Sequence, residues 1–599
     1  GLRTLTVIQD AEKMVRRKVP DFDITKIDPT DKEVYEMIGN GHTEGVFQLE
    51  SSGMKSFMKE LKPQNMEDII AGISLYRPGP MDFIPRYIEG KNHQESIHYE
   101  CEQMEEILEP TYGCIVYQEQ VMQIVMKLAG YTLGRSDLVR RAMSKKKGDV
   151  MIKERQNFVY GNEEEGIPGC INNGIDEKTA NQIWDEMLDF AKYAFNKSHA
   201  AAYAVVAYRT AYLRCHYPVE FMAALLTSVL GNTNKISEYS YACKKLGIKI
   251  LPPDINYGEG AFSVDHGNIR YGLTAIKSLG RPVIEAIIRE RNLNGPYRDF
   301  KDLVERLSSK EINKRTVENL IKSGALDCFH VTRKQQMIVY ASVIDSIQKE
   351  RKNEIAGQMS LMDLLGEEDQ QSFQISYPDV GEYEKEQKLA MEKEVLGIYV
   401  SGHPLEDDME RLERNVTAHT SDFVIDEETG KTKIHDRESC IIGGLISEMS
   451  VKLTKKNQNM AFITLEDLRG TVEVVVFPRQ YAAYQSLLRE DAKVFIKGTT
   501  QISEEESKVI CNQIISFEDS RQELWVQFAD KEAFFKEEDA LKGILTSYPG
   551  KNPVVIYCKT ERAVNRLGRD YMVSGDENLL FDLEKRYGKE NIRVRSLGI

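Results

Sequence analysis

Apolar residues recur at helical spacing through the first part of the chain. Up to about residue 250, such residues follow one another every three or four positions, which is typical of amphipathic helices. In the clearest segment, Gln118–Ala129, the apolar residues at this spacing are Val121, Ile124, Val125 and Leu128. Residues 183–190 and 200–213 have a similar pattern. We therefore predict a mostly helical region here.

The hydrophobic period changes from about residue 436 onwards. Five runs there read as strands, and we interpret Gly470 and Gly498 as the residues that separate some of them. The runs are 440–446, 460–467, 471–477, 493–498 and 508–512. Five short strands in about 75 residues are typical of a small barrel such as the oligonucleotide-binding (OB) fold.

The segments around these two regions are less regular. Prolines 252 and 253 interrupt the helical pattern, and residues 268–273 read as a short strand before a further helical region. Residues 366–394 carry nine acidic and three basic side chains, which predicts a solvated connector. Residues 519–599 alternate strand and helix patterns, as at 553–557 and 577–587, and predict a small α/β domain.

Composition narrows the class of protein. The 599 residues are 41% hydrophobic and 29% charged, which excludes wholesale disorder, and no apolar run is long enough for a membrane helix. The net charge is −15, so any surface that binds nucleic acid has to be local. The nine cysteines form no Cys-x-x-Cys pair, which argues against a zinc knuckle or disulfide framework and predicts a cytoplasmic protein. Because the first residue is Gly, we expect a fragment of a longer chain.

A basic cluster stands out in this acidic chain. Residues 135–153 hold seven Lys/Arg and two Asp. The densest part contains Arg140, Arg141, Lys145, Lys146 and Lys147. Guanidinium and ammonium groups together suit a triphosphate or a nucleic-acid backbone. A solvated helix face is the alternative, and the sequence leaves both open.

A second polar block opens an alanine-rich segment. Its residues are Asn196, Lys197, Ser198 and His199, followed by Tyr203. His199 and Tyr203 share a helix face at i, i+4, where one ring can stack on a base and the other can bind phosphate. The start of the helix also supplies N–H groups for an anion. A histidine that simply packs in the core is the alternative.

These blocks belong to a series of motifs with a family resemblance. The motifs cover residues 46–51, 77–80, 112–122, 138–147 and 195–204. In order and spacing they resemble the fingers motifs of the bacterial DNA polymerase III alpha subunits, the C-family replicative polymerases. The resemblance implies a multidomain α+β protein in which these two blocks line the pocket for the incoming nucleotide and the template.

The resemblance also implies the chemistry. The family synthesises DNA from dNTPs on a primed template, and three palm aspartates hold the Mg²⁺ ions for two-metal phosphoryl transfer. Residues 1–4 resemble the end of the run that carries the third aspartate. All three carboxylates are therefore expected outside this chain, and we expect the isolated chain to be inactive although its parent protein is a polymerase.

Downstream motifs predict a grip on duplex DNA. Residues 272–287 resemble a helix-hairpin-helix, whose backbone N–H groups approach phosphates without reading bases. A second candidate spans 312–326, and residues 281–322 hold ten basic and seven acidic side chains. The candidate DNA-binding residues are Lys277, Ser278, Gly280, Arg281, Lys314, Arg315, Lys322 and Gly324.

A short peptide predicts a tether to the sliding clamp. Gln358 precedes two apolar residues, Leu361 and Met362, as in peptides that bind the clamp, although Met362 stands where an aromatic ring is frequent. An ordinary helix end is the alternative. The resemblance implies that the segment 519–599 meets the clamp-loader scaffold subunit, and no membrane partner is expected.

The motifs and the resemblance together predict five domains, and two other functions are compared with that of a polymerase. The expected domains are fingers at 1–250, tandem hairpins with the clamp peptide at 251–365, an acidic, partly helical linker at 366–435, an OB-fold at 436–518 and an α/β domain at 519–599. In the barrel, single-stranded template would meet Lys452, Lys455, Lys456, Phe462 and Phe477, although both rings equally suit a core. A non-catalytic, clamp-tethered DNA-binding module is the alternative to the polymerase. A repair or recombination factor leaves the two fingers blocks unexplained.

Overall fold

The chain forms two compact units. A computed structural model describes residues 3–144, 148–191, 195–307, 312–355, 375–425, 432–454, 456–503, 506–517, 521–575 and 577–598. The first unit takes in the described residues of Gly1–Gly231 and Ala242–Val380, and the second takes in those of Asn232–Tyr241, Gly381–Ile425 and Gly430–Ile599. Among the described helices, none combines the length and the apolar character needed to cross a membrane.

The N-terminal region is helical, as its spacing predicts. The helices are α1 Arg3–Arg16, α2 Lys32–Gly39, α3 Ser52–Leu61, α4 Met66–Leu75, α5 Ile84–Asn92, α6 Glu102–Leu108, α7 Gln118–Ala129, α8 Leu133–Ser144, α9 Gly148–Tyr160, α10 Glu177–Ala191, α11 Lys197–His216, α12 Pro218–Ser228 and α13 Thr233–Lys245. Helix α7 has the bounds of the predicted segment, and its apolar face is buried.

Two apolar clusters hold this helical region together. In one, α11 packs against α4, and the residues that α11 buries there are mostly small. They include Ala200, Ala204, Ala207 and Ala211. Short side chains at the contact let the two helices approach closely. In the other cluster, Trp184 of α10 is fully buried beside Phe158 of α9, with ring centroids 5.1 Å apart.

Buried charges in the first unit are paired. Asp68 and Lys91 form an ion pair at 2.8 Å, with side chains only 2% and 10% exposed. Glu44 lies between Lys55 and Arg214. Burial alone would raise the pKa of Glu44, but Lys55, a backbone hydrogen bond and Arg214 together outweigh it and lower the pKa to about 2.

The rest of the first unit combines a small sheet with four helices. The strands are β1 Ile250–Leu251, β2 Ser263–Asp265 and β3 Asn268–Arg270, in the order β1-β3-β2. The helices are α14 Arg281–Asn294, α15 Phe300–Arg306, α16 Lys314–Lys322 and α17 Arg333–Ile355. Nδ2 of Asn319 in α16 donates to the carbonyl of Lys277 at 2.7 Å, which joins the two predicted hairpins.

Part of the predicted connector is a packed helix. Helix α18, Lys385–Leu396, and helix α19, Met409–Asn415, belong to the second unit. Although α18 is strongly charged, Leu389 and Glu392 on it are buried. The Glu392 carboxylate accepts the backbone N–H groups of Val400 and Ser401 at 3.0 and 2.9 Å. The number of charged residues in this segment does not predict the burial of Glu392, because a buried carboxylate is tolerated where backbone N–H groups donate to it.

Five strands close into a barrel, which confirms the OB-type prediction. They are β4 Ser439–Leu453, β5 Asn459–Glu466, β6 Thr471–Val476, β7 Lys493–Ile502 and β8 Ser507–Ser516, with helix α20 Pro478–Tyr484 between β6 and β7. The order around the barrel is β4-β5-β6-β8-β7, and β6 and β8 are parallel.

Glycines in this barrel have different roles. Gly470 lies between β5 and β6, as predicted. Gly498 does not end a strand, so that prediction was wrong: it lies inside β7, where the register against β8 shifts. A Cβ at Gly498 would lie 2.4 Å from the side chain of Val509 and 2.6 Å from the carbonyl oxygen of Ile510, and one at Gly444 would lie 2.3 Å from the carbonyl oxygen of Glu466. Close backbone approach therefore requires glycine at these two positions.

Residues 519–599 contain the predicted α/β domain. Its elements are β9 Arg521–Phe528, α21 Lys531–Thr546, β10 Pro549–Asn552, β11 Val554–Cys558, β12 Ala563–Arg566, α22 Glu577–Tyr587 and β13 Ile592–Gly598. A four-stranded sheet has the order β12-β11-β9-β13, with β9 and β11 parallel. Trp525 on β9 is half-buried, and the Arg595 guanidinium carbon lies 4.2 Å from its ring centroid.

Candidate nucleotide and nucleic-acid interface

The start of α11 organises the second polar block. Asn196 caps the helix, because its Oδ1 accepts the backbone N–H of His199 at 2.9 Å. The Glu119 carboxylate accepts the backbone N–H of Lys197 at 3.0 Å and Nδ2 of Asn196 at 3.0 Å. The sequence predicts an external anion at this helix start. In the structure, a carboxylate of the chain itself binds the Lys197 N–H.

A row of rings runs along the same helix face. The ring centroids of His199 and Tyr203 are 4.3 Å apart, so the two share a face as their spacing predicts. Phe195 lies on one side of His199 at 5.4 Å, and Phe47 lies beyond Tyr203 at 5.2 Å. The Arg77 guanidinium carbon is 4.1 Å from the centroid of Phe195. The row therefore begins with a cation stacked on an aromatic ring.

The two arginines of the basic cluster share one carboxylate. Asp137 accepts from Arg140 at 2.7 and 3.0 Å through Oδ1, and its Oδ2 lies 2.8 Å from Arg141. The hydrogen bond from Arg140 and, to a smaller extent, the charge of Arg141 lower the pKa of Asp137 below its usual value. The Arg140 side chain is 22% exposed and that of Arg141 is 62% exposed. Arg140 also donates to Oε1 of Gln118 at 2.8 Å.

The first turn of α7 joins the two blocks. Gln118 accepts from Arg140 of the basic cluster, and the next residue, Glu119, accepts from Asn196 and Lys197 of the second block. The structure thus brings together two segments that the sequence predicts separately. The sequence motif at 112–122 contains Gln118 and Glu119, but their bridging role follows only from the fold. We call these residues, with Asp137 and the ring row, the fingers cluster.

The ammonium of the second block is also paired. Nζ of Lys197 lies 3.0 Å from Glu67 and 5.2 Å from the ring centroid of Tyr117. Ser198 is exposed. The predicted lysines at 145–147 lie outside the described residues. In the described part of the cluster, Arg140, Arg141 and Lys197 are therefore balanced by nearby carboxylates.

The first hairpin presents its predicted residues to solvent. Lys277, Ser278, Gly280 and Arg281 are all exposed. Ser278 has a φ of 64°, and α14 begins directly after its cap residue Gly280, so a tight turn leads into a helix N-terminus. Pro282 has no N–H, and the N–H of Val283 donates to the carbonyl of Gly280 at 3.0 Å, so contact of this turn with a phosphate stays a prediction.

The second hairpin separates its predicted residues. Lys314 and Arg315 are exposed in the first turn of α16. The Lys322 side chain is only 15% exposed and pairs with Glu318 at 2.9 Å, and Gly324 is buried with a φ of 82°. Arg315 therefore presents its charge to solvent and Lys314 pairs with Asp345 at 2.7 Å, whereas Lys322 and Gly324 shape the turn. Their contact with DNA stays a prediction.

The barrel exposes part of its predicted set. Nζ of Lys452 lies 4.8 Å from the ring centroid of Phe462, and Lys456 is exposed. Phe477 is 45% exposed, so its ring is not confined to the core. Lys455 lies outside the described residues, as do the clamp-binding candidates Gln358, Leu361 and Met362.

Family models match three parts of the chain. The model described as the bacterial DNA polymerase III alpha subunit finger domain matches residues 4–166, a helix-hairpin-helix model matches 247–336, and an OB-fold nucleic acid binding domain matches 441–516. These matches agree with the helical region, the hairpins and the barrel.

Curated relatives align along nearly the whole chain. The DNA polymerase III subunit alpha of Bacillus subtilis is 36% identical over 602 residues, or 99% of this chain and 52% of the relative. Along nearly its whole length the chain is therefore similar to DNA polymerase III alpha subunits. The proteins of the same name from Escherichia coli K12 and Borreliella burgdorferi are 36% and 39% identical over 99% and 86% of this chain, and 52% and 44% of their own lengths. The chain spans about half the length of the curated relatives it matches.

The alpha-subunit finger match covers one side of the fingers cluster. It includes Gln118, Glu119 and both arginines of the basic cluster, and it ends before the second block at 195–204. The bonds from Glu119 to Asn196 and Lys197 place that block against the matched domain. Structure therefore extends the candidate site beyond the matched residues.

Proposed function

We propose that this chain provides the nucleotide-binding and DNA-binding part of a replicative DNA polymerase that extends a primed template with dNTPs. The observation that supports this best is the fingers cluster. Gln118 and Glu119, one peptide bond apart, contact two cationic segments that are far apart in sequence. A triphosphate needs several cations held in one place, and a row of rings beside them suits a base.

Phosphate would enter the cluster by exchanging with carboxylates. Asp137 holds Arg140 and Arg141, and Glu67 holds Lys197. Pairs that solvent reaches contribute at most about 1 kcal/mol each, so a triphosphate, with its higher charge, can displace them. In this proposal the carboxylates keep the cationic side chains oriented before the nucleotide arrives.

Mg²⁺ does not fit the described carboxylates of the cluster. Asp137, Glu67 and Glu119 are each bonded to a cation or to N–H donors, which leaves no open set of acidic oxygens for an octahedral ion. We therefore derive no step through a metal from this chain. The proposal places the Mg²⁺-binding palm aspartates in the part of the family protein that this chain does not span, and it expects no primer extension by the isolated chain.

Further proposed partners are DNA, the sliding clamp and the clamp-loader scaffold. The exposed first hairpin would hold duplex phosphates, and the barrel would hold single-stranded template near Lys452 and Phe477. The clamp would bind the peptide at 358–362. The domain at 519–599 would meet the clamp loader, a role that only the family resemblance supports.

Nucleotide binding tests the proposal at Arg141. Calorimetric titration of the chain and primed DNA with the complementary dNTP should show binding that weakens about tenfold in Arg141→Ala, since a hydrogen bond to a charged group contributes about 1.5 kcal/mol or more. Lys178→Ala removes an exposed lysine of α10 and is the matched control. Equal affinity in Arg141→Ala and Lys178→Ala would contradict the assignment.

Salt dependence tests the DNA grip. If Lys277 and Arg281 contact phosphates, replacing each by Ala should reduce the salt slope of duplex binding by about one. The same control, Lys178→Ala, should leave the slope unchanged. A slope unaffected by both hairpin variants would remove this hairpin from the proposed DNA surface.

A further inference from the structure

Two helix ends bring metal-binding side chains together in the first unit. Glu33 lies in the first turn of α2, and Cys215 and His216 lie in the last turn of α11. One ligand atom from each of these three residues lies within 4.8 Å of the other two. Eight of the described α-helices, α3 to α10, lie between α2 and α11 in chain order, so only the fold brings the group together. It is not part of the fingers cluster, the hairpins or the barrel.

A carboxylate orients the histidine of this group. Nε2 of His216 lies 2.8 Å from Oδ2 of Asp31. The other oxygen, Oδ1, accepts the backbone N–H groups of Glu33 and Val34 at 3.0 and 3.4 Å, which fixes the Asp31 side chain as the cap of α2. A carboxylate that holds one ring nitrogen leaves the other nitrogen, Nδ1, to bind a metal, an arrangement common around zinc-binding histidines.

We propose that Glu33, Cys215 and His216 bind a zinc ion, with Asp31 as the partner of the histidine. Thiolate and imidazole ligands favour zinc over magnesium or calcium. Zinc bonds of about 2.0–2.3 Å place tetrahedral ligands about 3.3–3.8 Å apart. Because the three ligand atoms lie within 4.8 Å of one another, the group closes by at most about 1.5 Å on binding. Glu33 is exposed and can make that movement, and water completes the fourth position.

The charges around the thiol favour a cation. Asp31 and Glu33 place negative charge near Cys215, and the neighbouring Arg214 opposes them in part. The thiol proton is released to solvent when the metal binds. Cys215 is a free, partly exposed cysteine, so the ion has access to it. The bound ion would link the start of α2 to the end of α11.

Cobalt substitution tests the site directly. The untagged chain, freed of metal by chelator and dialysis, is titrated with Co²⁺ while its absorption spectrum is recorded. We expect one Co²⁺ per chain, a thiolate-to-cobalt charge-transfer band and loss of that band when Zn²⁺ displaces the cobalt. Cys215→Ser should abolish the band, and His216→Gln and Glu33→Gln should each weaken Co²⁺ binding at least tenfold.

Matched variants separate ligands from fold. Cys101→Ser changes another partly exposed cysteine and should leave the titration unchanged. Asp31→Asn keeps a good helix cap but removes the charge beside His216, and should weaken binding about 10–100-fold. Zn²⁺ should raise the melting temperature of the parent chain more than that of Glu33→Gln, a variant at an exposed position. No charge-transfer band, a band that persists in Cys215→Ser, or a band lost in Cys101→Ser would each overturn the proposal.

Discussion

Removing the Glu119 carboxylate should loosen the start of α11. In the structure, this half-buried group accepts the backbone N–H of Lys197 and the side-chain amide of Asn196. It also places a negative charge at the N-terminus of a 20-residue helix, where the helix dipole favours one. Glu119→Ala leaves both donors to water.

The magnitude follows from these contacts. A hydrogen bond to a charged group contributes about 1.5–3 kcal/mol, and we take about 1.5–2 kcal/mol because the site is partly solvated. Each 1.4 kcal/mol is a factor of ten, so local opening should become about 10–30 times more frequent. Hydrogen exchange measured by mass spectrometry on peptides covering residues 195–205 should accelerate by that factor.

Two further variants make this experiment decisive. Glu119→Gln keeps an acceptor oxygen and should accelerate exchange less than the alanine variant. Glu164→Ala removes an exposed carboxylate in a turn and should not change exchange in these peptides. If exchange at 195–205 is the same in Glu119→Ala as in the parent chain, the proposed link between α7 and α11 is wrong.

Three further predictions concern the stability of the fold. Because Glu44 has a pKa of about 2 when folded and a higher one when unfolded, it stabilises the fold above pH 4.5 and loses this effect as the pH falls toward 2. In Glu44→Gln the melting temperature should therefore fall less over that pH range than in the parent chain. The same pH profile in both proteins would contradict the lowered pKa. Gly444→Ala should lower the free energy of unfolding by about 1–3 kcal/mol, because the added methyl group overpacks the site. Gly543→Ala, in open space on a helix, should be neutral or stabilising. A higher melting temperature for Gly444→Ala than for Gly543→Ala would refute the packing argument. Lys91→Met should lower the free energy of unfolding by about 3–5 kcal/mol, because it leaves the buried Asp68 without its cation. Adding Asp68→Asn should recover part of that free energy, as measured by urea unfolding. A double variant no more stable than Lys91→Met would contradict this explanation.

Periodic apolar residues predicted most of the fold. Helix α7 has its predicted bounds because its apolar residues form one continuous stripe. The barrel followed from five strand-like runs for a similar reason. The wrong prediction for Gly498 has a physical reason. A glycine in a sequence indicates a turn or a close approach of two strands equally well, and only the neighbouring strand shows which of the two applies.

The candidate site was less predictable than the fold. Its two cationic segments were visible because charge and polarity cluster locally in sequence. The bridge through Gln118 and Glu119 was not, because its partners are distant along the chain. The contacts of Glu392 and the group around His216 were not predicted for a related reason. Such contacts join residues that are not at regular helical or strand spacing, so the sequence pattern does not indicate them.

The two tryptophans give each compact unit its own optical reporter. Trp184 is fully buried against Phe158 in the first unit, whereas Trp525 in the second is half-buried and stacked on Arg595. An indole in an apolar core fluoresces at shorter wavelength than one near water and a cation. Intrinsic emission during denaturation should therefore resolve into two components, and replacing either indole by phenylalanine would assign each transition to its half of the chain.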